Sequence, residues 1–342
     1  MVSDVTEAKK VQGLEVKSMT ELYDETYPPR LPIVEGLINC GSYIFAGSPK
    51  IGKSFFMLQL GYHVATGTDL WDYPVRQGTV LYLALEDNYE RLQQRLAMMY
   101  GEDACDSFYL TTKSKGISDG LFDQMETFIT EHPDTRLIII DTLQKVRDQQ
   151  DEAYNYRTDY DTINGLKEFS DKHSVCILIV HHTRKLEAVD NFDMISGSNG
   201  LFGSADGAFM LIKKKRTDKD ALLCVVGRDQ QDQEITLQKD YETCIWKKVK
   251  SETELYKTKP DPVLELVANF ITVDNPYWEG TASELMESIP ELKKIIIPNA
   301  LARRLNINNS RMRNELNIGY EQLKRTSNRK PFSLKYVIGD EK

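Results

Sequence analysis

The stretch Tyr43–Ser54, YIFAGSPKIGKS, decides the fold. Tyr43–Ala46 is a short apolar run with strand character. It passes directly into Gly47-Ser48-Pro49-Lys50-Ile51-Gly52-Lys53-Ser54, which fits the pattern G-x-x-x-x-G-K-[ST], and then into the helical run FFMLQLGYHVA. Strand, glycine-rich loop and helix in that order form a phosphate cradle. The glycines let the backbone curl so that successive N–H groups face an anion, and the helix start adds its partial positive charge. The candidate nucleotide contacts are therefore Gly47, Ser48, Pro49, Lys50, Ile51, Gly52, Lys53, Ser54 and Phe55. Lys53 is expected to reach the β- and γ-phosphates of ATP, and the Ser54 hydroxyl to ligate Mg2+.

Outward from this loop, short β-rich runs alternate with helical stretches. The runs are Tyr43–Ala46, Thr79–Leu85, Arg136–Ile140, Val175–Val180, Ala208–Ile212, Leu222–Val226 and Glu234–Leu237. Amphipathic segments lie at Ser54–Ala65, Asn88–Met99, Leu121–Thr130 and Tyr160–His173. That alternation predicts an α/β fold with a mostly parallel sheet covered on both faces. The last two runs, joined by the polar turn Gly227–Gln233, read as an antiparallel hairpin finishing the sheet. Residues 1–28 read as a loose polar leader and 29–250 as the nucleotide-binding domain. The charged, proline-bearing stretch 251–261 reads as a linker to a small domain at 262–342. There, short amphipathic helices at Pro262–Val273, Thr281–Ile289, Pro298–Asn306 and Ser310–Leu316 precede a hairpin of Tyr320–Thr326 and Pro331–Val337.

Three strand tips carry further candidate chemistry. LIIID ends at Asp141, an acid placed to complete a Mg2+ shell with Ser54. LYLALED ends at Glu86 and Asp87: Glu86 suits a base that orients the attacking water, and Asp87 suits an N-cap for the helix that follows, although both acids could serve only as caps. The strand Val175–Val180 ends in His181-His182, where His182 could contact a γ-phosphate; no nearby cysteine or acid cluster completes a metal set around the pair. The glycine- and serine-rich stretch Leu186–Gly203 follows, long enough for a functional loop.

Composition is that of a folded globular chain, 41% apolar and 28% charged. No apolar run approaches the roughly 18 residues of a membrane helix, and the N-terminus lacks a secretory pattern. Five widely spaced cysteines without a C-x-x-C pair point to reduced thiols in a cytoplasmic protein rather than a zinc site. The net charge of −9 is unevenly distributed. Residues 286–336 hold eleven Lys or Arg against four acids, a block of +7 that leaves −16 on the rest. Such segregation points to an anionic partner for the basic block, against the simpler reading of a solvated face.

In their order, FAGSPKIGKS, LYLALED with a helix ending in Arg95, LIIIDTLQ, VHHTRK and SGSNGLFGSADGAFML resemble the RecA-like ATPases of the RepA type, the hexameric replicative helicases of plasmids and mobile elements. The resemblance spans roughly Pro29–Leu237. It implies ATP hydrolysis at the subunit interfaces of a homo-oligomeric ring, with Glu86 as catalytic glutamate and the VHHTRK histidines as sensor. It also implies a loop after them that binds single-stranded DNA, which makes Arg184 and Lys185 candidate contacts. Related DnaB-type helicases carry a trans-acting arginine in a late K-x-R motif. Val226-Gly227-Arg228 stands in its place, so Arg228 is the candidate finger, with valine where the lysine would be. Lys213, Lys214, Lys215 and Arg216 form a basic turn that either faces DNA or is simply solvated. The C-terminal segment is similar to the winged-helix tails of phage and integrative-element replication proteins. That implies duplex contacts through Arg303, Arg304, Arg311, Arg313 and Lys330, or else contacts to replication proteins. An ATP-gated DNA-binding or loader ATPase that does not unwind is the alternative to a helicase.

Overall fold

The computed structural model describes residues 9–11, 14–147, 156–183, 191–194, 199–213, 215, 217–253, 259–324 and 330–337. Arg184, Lys185, Lys214 and Arg216 lie outside them. The chain divides into two units. One is residues 32–256; the other combines 1–31 with 257–342.

The N-terminal stretch of the second unit carries β1 (Lys9–Val11), β2 (Leu14–Val16) and α1 (Met19–Asp24). In the first unit, β3 (Gly41–Gly47), α2 (Lys53–Thr66), β4 (Thr79–Ala84), α3 (Tyr89–Tyr100) and β5 (Phe108–Thr111) come first. Next are α4 (Phe122–Glu131), β6 (Thr135–Asp141), α5 (Leu143–Val146), α6 (Tyr156–His173) and β7 (Cys176–His182). Then come α7 (Asn199–Ser204), β8 (Gly207–Ile212), β9 (Asp220–Gly227), β10 (Gln233–Lys239) and β11 (Trp246–Ser251). The strands form one nine-stranded sheet in the order β11-β10-β9-β8-β3-β7-β6-β4-β5. Pairing is parallel from β8 through β5 and antiparallel from β8 to β11.

Strand period two assigns side chains to the two faces. Tyr43, Phe45, Leu137, Ile139, Leu178 and Val180 pack with Phe56, Leu60 and Val64 of α2. Ile44, Ala46, Ile138, Ile140, Ile177 and Ile179 pack with Met125, Ile163 and Leu166 of α4 and α6. Every strand of this group is therefore buried on both sides, which is why its sequence reads as an unbroken apolar run. Because β3, β4, β6 and β7 run the same way, their C-terminal tips share one edge, where an open α/β sheet binds its ligand.

Two strands escape the sequence reading. β5 is flanked by polar residues and is only half-buried, and β11 is a charged edge strand anchored by the fully buried Trp246. β11 runs into the stretch read as linker, whose residues 254–258 lie outside the described residues.

The second unit continues with α8 (Pro262–Phe270), β12 (Tyr277–Gly280), α9 (Ala282–Ser288), α10 (Pro298–Ile307), α11 (Asn309–Glu315), β13 (Ile318–Gln322) and β14 (Phe332–Tyr336). Local chemistry sets the starts. Asp261 caps α8 with Pro262 behind it, and Thr281 and Glu284 form a reciprocal capping box on α9. The sheet order β12-β14-β13 is antiparallel and closes over Leu264, Leu285, Leu301, Leu305 and Met312.

The expected loose leader is instead ordered against this unit from α1 onward. Ser18 and Glu21 cap α1. The Asn306 side chain donates to the carbonyl oxygens of Tyr23 and Glu25 at 2.9 and 2.6 Å and accepts from the Thr26 hydroxyl at 2.6 Å. Asn309 donates to the Tyr27 carbonyl, and the Arg30 amide donates to Ser310 Oγ. A polar, aperiodic segment reads as unstructured because its partners lie some 280 residues away in the chain.

Candidate active site

The phosphate loop leaves β3 at Gly47 and enters α2 at Lys53. Gly52 is the N-cap, with φ of 111°, and a Cβ there would sit 2.9 Å from the Trp246 ring. Only glycine meets both conditions without strain. No side chain caps α2, so its first N–H groups face the loop, as an anion site requires. Trp246 closes the loop from behind: its Nε1 donates to the Gly52 carbonyl at 3.2 Å, and Gln59 makes two bonds of 2.8 Å to its backbone.

Lys53 is buried, and its ammonium donates to the carbonyl oxygens of Gly47 at 2.7 Å and Ser48 at 3.2 Å. Burial lowers its pKa from 10.5 to about 8, against the opposing pull of Asp141 and Glu86. His182 Nδ1 lies 3.2 Å from the Lys53 ammonium. Burial, then the Lys53 charge, lowers the His182 pKa. The ring is thereby favoured neutral, with Nδ1 free to accept from lysine and Nε2 carrying the proton.

At the tip of β6, Asp141 Oδ2 accepts from Ser54 Oγ at 3.0 Å and from the Tyr82 hydroxyl at 2.8 Å. Burial raises the Asp141 pKa, partly offset by these two hydrogen bonds. A hydroxyl and a carboxylate in direct contact, both hard oxygen donors, fit Mg2+, which takes one or two protein oxygens and completes its shell with water and phosphate. Glu86 is exposed at the tip of β4, and its Oε1 accepts from Thr142 Oγ1 at 3.3 Å. An acid that is open to water and oriented by a neighbouring hydroxyl can position an attacking water. The strand tips thus bring together Lys53, Ser54, Glu86, Asp141 and His182.

One assignment needs correcting. Asp87 does not cap α3. Asn88 does, its side chain accepting from the Arg91 amide at 2.9 Å. Asp87 instead pairs with Arg95 and, at 3.4 Å, with Arg91. The sequence reading also passed over Tyr82, Thr142, Trp246 and the surroundings of Phe55. Lys239 Nζ lies 3.7 Å from the Phe55 ring centroid and the Arg95 guanidinium 5.1 Å from it. A tyrosine in the strand that ends at Glu86 was the one visible signal; the others depend on strands brought alongside by pairing.

Arg228 follows the end of β9 and lies away from its own phosphate loop. Gly227 pairs with Gly207, which pairs with Tyr43, four residues before Gly47. At about 3.3 Å per residue that is about 13 Å along the strands, with β8 intervening. Its exposed side chain donates to the Gly203 carbonyl at 2.9 Å. Lys213, in contrast, follows the end of β8 at the phosphate-loop edge, where Leu211 pairs with Gly47. Its ammonium donates to the Asp218 carbonyl at 3.0 Å and stands 5.7 Å from the Trp246 ring centroid. Lys215 is exposed, with its backbone N–H on Asp218.

In the second unit the candidate DNA contacts are engaged locally. Arg303 and Lys330 pair with Asp24 at 3.0 and 3.2 Å, and Arg304 pairs with Asp261 at 3.0 Å. Arg311 pairs with Glu315 at 2.8 Å, and Arg313 is not free either. The Arg303 and Lys330 pairs hold the Asp24 carboxyl below its usual range in spite of its partial burial.

A family profile described as AAA domain matches residues 11–188, more than half of the chain. The chain belongs to the AAA domain family. Among solved structures, this AAA domain protein is similar to an isolated ATPase domain, at 13% identity and a TM-score of 0.52, over 62% of this chain and 85% of that one. It is also similar to a structure titled "The Structure Of A DnaB-Like Replicative Helicase And Its Interactions With Primase". That match has 13% identity and a TM-score of 0.52, over 61% of this chain and 58% of that one. No curated protein sequence matches. The AAA domain protein has the RecA-like P-loop α/β fold and is an ATPase. No helix among the described residues is long and apolar enough to cross a membrane.

Proposed function

We propose that the chain is a ring-forming, Mg2+- and ATP-dependent DNA helicase, a homohexamer of the RepA type serving replication of a mobile genetic element. The observation that carries the reading is the position of Arg228. It lies at the opposite end of the strands from its own phosphate loop and projects from the surface, so it is suited to a neighbouring subunit's γ-phosphate. An ATPase whose finger comes from the next subunit works as a closed assembly.

Within that assembly Lys53 holds the β- and γ-phosphates, Ser54 and Asp141 hold Mg2+, and Glu86 orients the attacking water. His182 reads the γ-phosphate through Lys53, and the segment Arg184–Gly203 follows single-stranded DNA in the ring, with Lys213, Lys214 and Lys215 as further contacts. The likeness of fold to a DnaB-like replicative helicase supports this reading. So does the charge segregation that puts +7 on residues 286–336.

The second unit reads as a winged helix, with α10 and α11 preceding the β13–β14 wing. Arg303, Arg304, Arg311, Arg313 and Lys330 are its duplex contacts. Their present carboxylate partners do not prevent this, because exposed ion pairs are worth only about 0–1 kcal/mol and a polyanion can displace them.

Strand displacement on a forked duplex, with Lys53→Ala as control, tests the reading. ATP-dependent unwinding that the variant loses is the expected result. DNA-stimulated hydrolysis with neither unwinding nor translocation would instead establish an ATP-gated binding or loading protein.

A further inference from the structure

Asp206 joins three parts of the first unit at one carboxylate. Its Oδ2 accepts from the Ser42 amide at 2.9 Å and faces the Ser42 hydroxyl at 3.4 Å. Its Oδ1 pairs with Lys167 of α6 and lies 4.0 Å from the Arg228 guanidinium. The backbone repeats the connection, since the Asp206 amide donates to the Ser42 carbonyl and the Arg228 amide donates to the Asp206 carbonyl, both at 2.8 Å. Gly41 admits the carboxylate: its φ is 143°, and a Cβ there would stand 2.8 Å from Oδ2. The other end of the guanidinium donates to the carbonyl of Gly203, in the last turn of α7. The side chain of Arg228 is about half exposed, whereas Asp206 is 17% exposed. An exposed arginine is therefore held by a fixed acid on one side and by α7 on the other.

We propose that Asp206 is the positioning residue for Arg228, and that the Gly203 carbonyl links the arginine's aim to the segment that ends in α7. This rests on the reading of Arg228 as a trans-acting finger. Lys167 and Ser42 lock the carboxylate to α6 and β3. The carboxylate orients the guanidinium by charge, and a shift of α7 moves the hydrogen bond that sets its direction. The reaction is sensitive to such a shift, because about 1 Å of misplacement can cost about 10²-fold.

The test uses the full-length protein with single-stranded DNA. Asp206→Asn keeps an acceptor for the Ser42 amide and removes the charge. The double variant Asp206→Asn/Lys167→Met also removes the lysine left unpaired, and it serves where the single variant folds poorly. Both are expected to bind nucleotide normally and keep KM within about twofold, while kcat falls about 10- to 100-fold. Mixing either variant with catalytically dead Lys53→Ala subunits restores turnover, because those subunits supply correctly held fingers to intact phosphate sites. Arg228→Ala mixed with Lys53→Ala is the parallel arm. If Arg228→Ala is rescued and the Asp206 variants are not, or if their kcat is unchanged, the Asp206 assignment is overturned and the finger stands. If Arg228→Ala is not rescued, the finger reading itself fails, and the Asp206 proposal fails with it.

Discussion

The buried ammonium of Lys53 should make nucleotide binding sharply dependent on pH in the alkaline range. In the free protein burial brings its pKa to about 8, with Asp141 and Glu86 opposing the shift. A triphosphate placed against Nζ favours the charged form and returns the pKa toward 10.5 or above. From 10.5 to about 8, at about 1.4 kcal/mol per pH unit, the penalty on the charged form is about 3 kcal/mol. Since the bound state holds the proton more tightly, binding takes one up wherever the free lysine has lost it, and affinity falls as pH rises through about 8. At pH 7 about nine-tenths of free Lys53 is already charged, and at pH 9 only about one-tenth. Affinity for a non-hydrolysable ATP analogue with Mg2+ should therefore drop about tenfold between pH 7 and pH 9. Calorimetry in buffers of different ionisation enthalpy should record an uptake of about 0.9 proton at pH 9 and about 0.1 at pH 7. Lys53→Met should bind more weakly at pH 7 and lose the dependence. An affinity that is flat from pH 7 to 9, or a dependence retained in Lys53→Met, refutes the reasoning.

Other parts of the site give separate outcomes. Glu86→Gln should keep nucleotide affinity and lose hydrolysis by about 10²- to 10⁴-fold in single-turnover assays, whereas unchanged turnover would leave Glu86 a surface acid. Gly52→Ala places a side chain at φ of 111° and 2.9 Å from Trp246. It should abolish nucleotide binding and shift the tryptophan emission. Asn306→Ala removes the bonds to Tyr23, Glu25 and Thr26 and should raise hydrogen exchange at residues 23–30. At about 1 kcal/mol per bond, the increase should exceed tenfold. DNA affinity of Arg303→Ala and Lys330→Ala should fall with a shallower salt dependence, by about one unit of slope for each phosphate no longer neutralised.

The nucleotide site could be read in advance because its signals are local. Strand, loop and helix are contiguous from Tyr43 to Ala65, and Asp141, Glu86 and His182 each stand at the end of an apolar run. Parallel pairing does the rest, since like-directed strands collect their tips at one edge. What sequence could not show is what arrives from a distance. Trp246 stands on a charged edge strand and closes the phosphate loop only because β11 pairs with β10 and packs behind α2. Asp206 gains its meaning from Ser42 and Lys167, whose places on β3 and α6 are set by the sheet. The N-terminal segment is polar and aperiodic, and its order comes from Asn306, Asn309 and Arg303. The Asp87 error has a different cause. Aspartate and asparagine are both good N-caps, and the choice between adjacent candidates fell to Asn88 because Asp87 found arginine partners one and two turns along α3.

The most direct test of the account is displacement of a labelled strand from a forked duplex by the purified full-length protein with ATP and Mg2+. The account predicts unwinding that requires hydrolysis, is absent in Lys53→Ala, and is absent in Arg228→Ala despite intact nucleotide binding. Robust DNA-stimulated ATP hydrolysis with no strand displacement and no movement along single-stranded DNA would contradict it.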